Sequence, residues 1–215
     1  MEITLHNLVP IPLKDKILTR TSQVWNSTVT FGSNAYTKII APSGTGKTTL
    51  MHYLYALRND YTGTVCYNGT NTNTIPQEDL ALLRQQKISV VFQDLRLFQH
   101  LTALENIELK RTMQTPICTL QKVHEMAALL GIEPILNQPA KICSYGEQQR
   151  IAIIRALMQP FELLLMDEPF SHLDIANTLK AAQLIATECA ARNAGFVLTD
   201  LDEDHNFAYT HFLKL

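Results

Sequence analysis

The stretch Ala41-Pro42-Ser43-Gly44-Thr45-Gly46-Lys47-Thr48-Thr49 decides the fold. The apolar pair Ile39-Ile40 precedes it, and Leu50-Met51-His52-Tyr53-Leu54 follows with helical spacing. A strand, a glycine-bearing turn and a Lys-Thr pair opening a helix have the layout of a phosphate-binding loop. Small residues let backbone N–H groups close round an anion, and the helix N-terminus adds free donors and a favourable dipole. Lys47 would then reach the β- and γ-phosphates of a nucleoside triphosphate, and the Thr48 hydroxyl would ligate magnesium. Ala41 stands where such loops usually begin with glycine; it fits if the backbone there keeps a negative φ.

Working outward, Leu163-Leu164-Leu165-Met166 is the most apolar short run and reads as a strand buried on both faces. It ends in Asp167-Glu168-Pro169, which puts two carboxylates at the carboxyl end of a buried strand, where open α/β sheets bind ligands. Asp167 would hold magnesium, directly or through water, and Glu168 would align or deprotonate an attacking water. Ile88-Ser89-Val90-Val91-Phe92 is a second central strand, ending at Gln93. Val29-Thr30-Phe31, Gly63–Gly69, Phe196–Leu198 and Phe212-Leu213 supply further β segments, and Asn71–Pro76 reads as polar loop. Between Leu95 and Ile142 the spacing turns helical, with Leu120, Val123, Ala127 and Leu130 on one face. A later helix carries Leu179, Ala182, Ala186 and Cys189 on one side. Strands alternating with helices predict a parallel α/β core with right-handed crossovers.

The 215 residues suffice for one buried domain, and a net charge of −2 leaves no basic footprint for nucleic acid. Cys66, Cys118, Cys143 and Cys189 form no C-x-x-C pair, which argues against zinc and against a disulfide framework. The seven histidines have no metal-ligand spacing. No run approaches the ~18 apolar residues of a membrane span. The first twenty residues carry Glu2, Lys14, Asp15, Lys16 and Arg20 and no secretory apolar core. The expectation is a cytoplasmic chain that works on a membrane only through a partner.

Cys143-Ser144-Tyr145-Gly146-Glu147-Gln148-Gln149-Arg150 resembles the L-S-G-G-[QE] signature with its following Q-Q-R, the mark of ATP-binding-cassette (ABC) ATPases. The other landmarks of that family stand in order. The phosphate loop matches Walker A, Gln93 the Q-loop glutamine, Leu163–Glu168 Walker B, and Ser171-His172-Leu173-Asp174 the D-loop. The resemblance spans the chain and implies a P-loop NTPase fold of the ABC nucleotide-binding type: a RecA-like core, an N-terminal antiparallel β piece and a helical subdomain. Within a single domain 1–215, residues 1–94 and 151–215 would form the core with its β subdomain, and 95–150 the helical signature subdomain.

The same resemblance implies an ATPase that uses ATP and Mg2+ and pairs head to tail as a homodimer, or with another cassette, on an integral membrane partner. Ala41 through Thr49 and Gln93 would bind nucleotide, while Ser144, Gly146 and Glu147 would reach the nucleotide of the opposite subunit. Thr48, Gln93 and Asp167 would hold the metal; Lys47 and Glu168 would be catalytic. Asp174 would communicate between the two sites.

Val91–Phe98 followed by Leu101-Thr102-Ala103-Leu104-Glu105-Asn106 looks like the cell-division, lipoprotein-release and macrolide-export branch, which the compact length also suits. The membrane partner would dock beside Leu95–Leu104, on Phe98 and Leu101.

Three departures stand out. Tyr145 replaces the first signature glycine, so its side chain must point away from the nucleotide. The family's switch histidine is missing: Thr199-Asp200-Leu201-Asp202-Glu203-Asp204 carries none, whether by substitution at Asp200 or by a deletion. The expected consequence is slower hydrolysis, or a cassette that binds ATP as a clamp or regulator with little hydrolysis. Residues 1–24 lack the aromatic ring that usually stacks on adenine. Trp25 is the nearest candidate, although it aligns better with an apolar position, and His6 is a further option. A DNA- or ribosome-acting cassette would need a coiled-coil insertion or a second cassette, and a small-molecule kinase would lack the Ser144–Arg150 signature.

Overall fold

The computed structural model describes residues 1–17 and 21–215, so Arg20 lies outside the described residues. In chain order the elements are β1 (Glu2–Pro10), α1 (Lys14–Ile17), β2 (Thr28–Gly32), β3 (Tyr36–Ile40), α2 (Lys47–Leu54), β4 (Tyr61–Tyr67), β5 (Thr70–Asn71), α3 (Gln77–Gln86), β6 (Ile88–Val91), α4 (Ala103–Thr112), α5 (Leu120–Leu129), α6 (Tyr145–Leu157), β7 (Leu163–Asp167), α7 (Ile175–Arg192), β8 (Gly195–Asp200) and β9 (His211–Lys214).

They form two sheets. An antiparallel one runs β2-β1-β4-β5, and a parallel one runs β6-β7-β8-β3-β9. The parallel sheet positions the site. Its strands all point the same way, so the segments that leave β3, β6, β7 and β8 emerge on one edge, where α/β sheets hold ligands.

Alternation along β7 explains its unbroken hydrophobicity. Leu163 and Leu165 pack with Ile39, Val197 and α2 on one face; Leu164 and Met166 pack with Phe196, Leu198 and the helices on the other. The second face continues through α4, α5, α6 and α7 into one apolar core, so the helical segment is packed onto the sheet. α6 runs without a break across residue 150.

Local chemistry starts the helices. Thr102 with Glu105, and Ser144 with Glu147, form capping boxes at α4 and α6; Thr119 and Asp174 cap α5 and α7. Asn106 explains the polar residue in Leu101–Asn106. Fully buried, it accepts from Phe98 N (2.8 Å) and donates to the carbonyls of Phe98 (3.0 Å) and Thr102 (3.0 Å), closing the loop before α4.

Some details depart from the sequence reading. Asn71–Pro76 is partly ordered, with β5 and a 3-10 turn at Thr72–Thr74 that the Asn71 side chain caps. Helix α3 occupies residues whose pattern signalled no element. Leu120 (43%) and Leu179 (55%) are exposed, because each lies in the first turns of its helix, where α5 and α7 begin beyond the core they later cover.

Candidate functional site

The phosphate loop lies between β3 and α2. Gly44 (φ +76°) and Gly46 (φ +105°) occupy left-handed backbone that side chains resist, whereas Ala41 is absent from the positive-φ residues and is fully buried. An alanine is therefore accommodated. Below the loop, Trp25 is buried, its indole N–H directed at the Thr45 carbonyl (3.4 Å) and its ring edge-on to Tyr53. Neither Trp25 nor His6 lines the cleft above the loop, but Leu13 does. That apolar side chain escaped the sequence reading, because the search there was for an aromatic ring.

The cleft holds about 260 Å³ and is bounded by the phosphate loop with Lys47, Thr48, Gln93 and Glu168. Lys47 Nζ donates to Ala41 O (2.8 Å) and lies 3.1 Å from Glu168 Oε1. Thr48 Oγ1 is 2.6 Å from Asp167 Oδ2 and 3.2 Å from Gln93 Oε1. Gln93 Nε2 donates to Glu168 Oε2 (3.1 Å). Five side chains from three strand ends thus form one hydrogen-bonded cluster. Among the described residues no group of three or more His, Cys, Asp or Glu could hold a metal alone. Three hard oxygens on Thr48, Asp167 and Gln93 nevertheless suit Mg2+, which keeps waters and shares its shell with phosphates.

Asp167 is almost completely buried. Burial pushes its carboxyl above the usual range and the Glu168 charge adds to this, while Thr48, Thr199 and Lys47 oppose it. The Thr199 hydroxyl, 2.7 Å from Oδ1, holds Asp167 from the neighbouring strand, where the two residues are in register. Glu168 adopts φ +48°, strain of about 1–3 kcal/mol for a residue with a side chain. It is pinned there by its own N–H to Thr199 O (3.0 Å) and by Gln149 Nε2 to its carbonyl (3.1 Å). Buried Gln149 also accepts from His172 N (3.1 Å), tying α6 to the segment after β7. The Q-Q-R run contained this residue, but only tertiary contacts assign it a task.

Ser144, Gly146 and Glu147 do not line the cleft. The Glu147 carboxylate caps Ser144 (N 2.7 Å, Oγ 2.8 Å), and Gly146 packs so closely on the His172 carbonyl that a Cβ would sit 2.9 Å from it. Asp174 caps α7 through Asn177 N (2.7 Å). Tyr145 bends back onto its own chain, its ring 4.1 Å from that of His172 and its hydroxyl donating to Gln93 O (3.1 Å).

Asp200, the last residue of β8, accepts from Lys38 Nζ (3.1 Å), and Asp204 pairs with the same ammonium. Lys38 is fully buried (0%) on the helix-facing side of β3. The carboxylate that would have repelled a γ-phosphate is thus occupied with an internal cation. Nothing in the sequence signalled that Lys38 and Asp204 pair, because the two residues lie 166 positions apart.

The family described as "ABC transporter" matches residues 24–171. ABC transporter ATP-binding protein YxdL of Bacillus subtilis is 38% identical over 65% of this chain and 55% of its own length. Lipoprotein-releasing system ATP-binding protein LolD 2 of Chlorobium chlorochromatii is 34% identical over 80% of this chain and 72% of its own. Among solved structures, the dimeric structure of MJ0796, a bacterial ABC transporter cassette, superposes with a TM-score of 0.81 at 25% identity, covering 99% of this chain and 94% of that one. The chain spans about half the length of the first curated relatives it matches (55%, 40% and 47%).

Proposed function

The chain belongs to the ABC transporter family, and from that premise we propose that it is the ATP-binding and ATP-hydrolysing subunit of a membrane complex, acting as a head-to-tail dimer. The observation that carries this reading is the cluster in which Lys47, Thr48, Gln93, Asp167 and Glu168 meet at one cleft.

When ATP enters, the N–H groups from Ser43 to Thr49 receive its phosphates, and Lys47 exchanges Glu168 and the Ala41 carbonyl for phosphate oxygens. Glu168, released from Lys47, aligns and deprotonates the attacking water, so that ATP and water become ADP and phosphate. Bound Mg2+ neutralises charge on the phosphates; Thr48, Gln93 and Asp167 would hold it. Ser144, Gly146 and Glu147 serve the nucleotide of the opposite subunit. A relative described as a dimeric cassette supports pairing, and the lipoprotein-release relative supports the branch and a membrane partner.

The partner docks on the rim bearing Phe98, which is 60% exposed, and Leu101. On this reading residues 1–94 and 151–215 are the core with its β subdomain and 95–150 the signature subdomain, linked by continuous α6. Among the described residues no helix is long and apolar enough to cross a membrane. The chain would sit at the inner face of the membrane through its partner.

A second reading, an ATP-gated clamp with little hydrolysis, is favoured by one observation. Thr199–Asp204, where the switch histidine would be expected, carries no histidine, and its Asp200 carboxylate is engaged with Lys38 and has no donor for the γ-phosphate. Losing one such donor costs roughly 10²–10³ in rate. Steady-state ATP turnover with Mg2+, measured for the native chain and Glu168→Gln, separates the two. Turnover that vanishes in the variant supports the engine. ATP binding without turnover in either, with the membrane partner present, supports the clamp, and no ATP binding at all refutes both.

A further inference from the structure

We infer that Tyr145 is a positioning residue of the nucleotide site, its hydroxyl holding the Gln93 segment so that the Gln93 side chain faces Thr48 and Glu168. The inference rests on the nucleotide-site reading above and extends it to a residue outside the cleft.

The segment Gln93–Arg96 is held locally by its own turn, Leu95 N to Phe92 O (3.0 Å) and Arg96 N to Asp94 O (2.6 Å), but none of these bonds involves the Gln93 carbonyl. Leu95 (φ +55°) and Arg96 (φ +49°) are consecutive side-chain-bearing residues in left-handed backbone, a conformation that persists only where surroundings impose it. Helix α6 imposes it from both ends. Near its C-terminus Arg155 donates to Leu95 O and, at 2.7 Å, to Arg96 O. At its first turn Tyr145 donates to Gln93 O (3.1 Å). Burial lowers the Arg155 pKa to about 10, so the guanidinium stays charged at neutral pH and donates to both carbonyls. Tyr145 is fixed by its ring against His172 (4.1 Å between centroids) and by the capping box immediately before it.

One residue, Gln93, therefore joins the two systems. Its carbonyl belongs to the α6 clamp, and its amide reaches Thr48 (3.2 Å) and Glu168 (3.1 Å). A glycine at position 145 has no hydroxyl to donate, so the clamp in this form depends on the tyrosine.

The test is equilibrium dialysis of ATP, first in EDTA and then across a Mg2+ titration, with the native chain, Tyr145→Phe, Gln93→Ala and the double variant. Phenylalanine keeps the ring on His172 and removes only the bond to Gln93. The metal-free dissociation constant of Tyr145→Phe stays within about twofold of native, because the phosphate loop carries it. The Mg2+ concentration that half-saturates the metal effect rises about three- to tenfold, the range set by one neutral hydrogen bond. In the Gln93→Ala background the tyrosine substitution has no further effect. An unchanged Mg2+ requirement in Tyr145→Phe overturns the inference, as does an equal shift in the Gln93→Ala background or an equal loss with and without metal. A native chain that binds ATP without any Mg2+ dependence overturns it alone, whereas a native chain that binds no ATP removes the nucleotide-site reading as well.

Discussion

Neutralising the two carboxylates around Lys38 is the sharpest stability test the structure offers. The Lys38 ammonium is fully buried, and its anionic partners Asp200 (3.1 Å) and Asp204 keep side-chain exposures of 28% and 21%. At an effective dielectric of about 20, a pair at 3.1 Å attracts by ~5 kcal/mol. Desolvation offsets much of this, leaving about 1.5–3 kcal/mol for each charge-assisted hydrogen bond. Asp200→Asn is expected to cost about 1.5–2 kcal/mol and Asp204→Asn about 2–3 kcal/mol. The second is the larger because Asp204 Oδ1 also orders Tyr209 (2.7 Å) and Asn206 N (2.9 Å). Together they strand a buried cation, at about 3–5 kcal/mol. For a chain of this size that lowers the thermal midpoint by roughly 6–20 °C. Adding Lys38→Met to the double variant should recover at least half of the loss, because no unpaired charge then remains inside. Urea unfolding with an unchanged m-value is the appropriate assay. A double variant within about 0.5 kcal/mol of native would refute the reasoning, as would a failure of Lys38→Met to restore anything. It follows that Asp200→His, meant to test a vacant switch position, also takes one of the two anions from Lys38 and should destabilise the fold.

The pH dependence of stability should have two opposing limbs. Although burial works against it, bonds from Lys38, Tyr209 and Asn206 hold Asp204 below the usual carboxylate range. Its contribution is complete above the unfolded value near ~3.9 and is lost as pH falls through the lower folded value. Asp167 is raised by burial, so the folded chain binds the extra proton and stability falls as pH rises through the window above ~3.9. Asp204→Asn should flatten the acid limb and Asp167→Asn the other, as read from urea midpoints across pH 3–7 in metal-free buffer. Asn106→Ala should cost about 1–3 kcal/mol, because it leaves the Phe98 N–H without an acceptor, whereas the Phe98 and Thr102 carbonyls keep the N–H groups of Leu101 and residue 106; a loss well below 1 kcal/mol would show that water replaces it. Lys47→Ala should abolish ATP binding in equilibrium dialysis, and an unchanged affinity would remove the phosphate-loop assignment.

Features that depend on neighbours in the chain were legible before any coordinates. The glycines at 44 and 46 and the apolar strand ending in Asp167-Glu168 each act within one turn or strand. Residue identity and spacing therefore determined them, along with the alternation that predicts a parallel α/β core. Hydrogen bonds and charge pairs between distant segments were not legible, because no local pattern records which buried group another will meet. Lys38 meets Asp200 across 162 positions, and Tyr145 reaches Gln93 across 52. Strand order decides the Asp167–Thr199 contact, because it sets β7 beside β8 in that register. Sequence by itself determined which groups could bind a phosphate and a metal. Only the tertiary structure decided what holds them in place, because burying a charge requires a partner and folding chooses that partner.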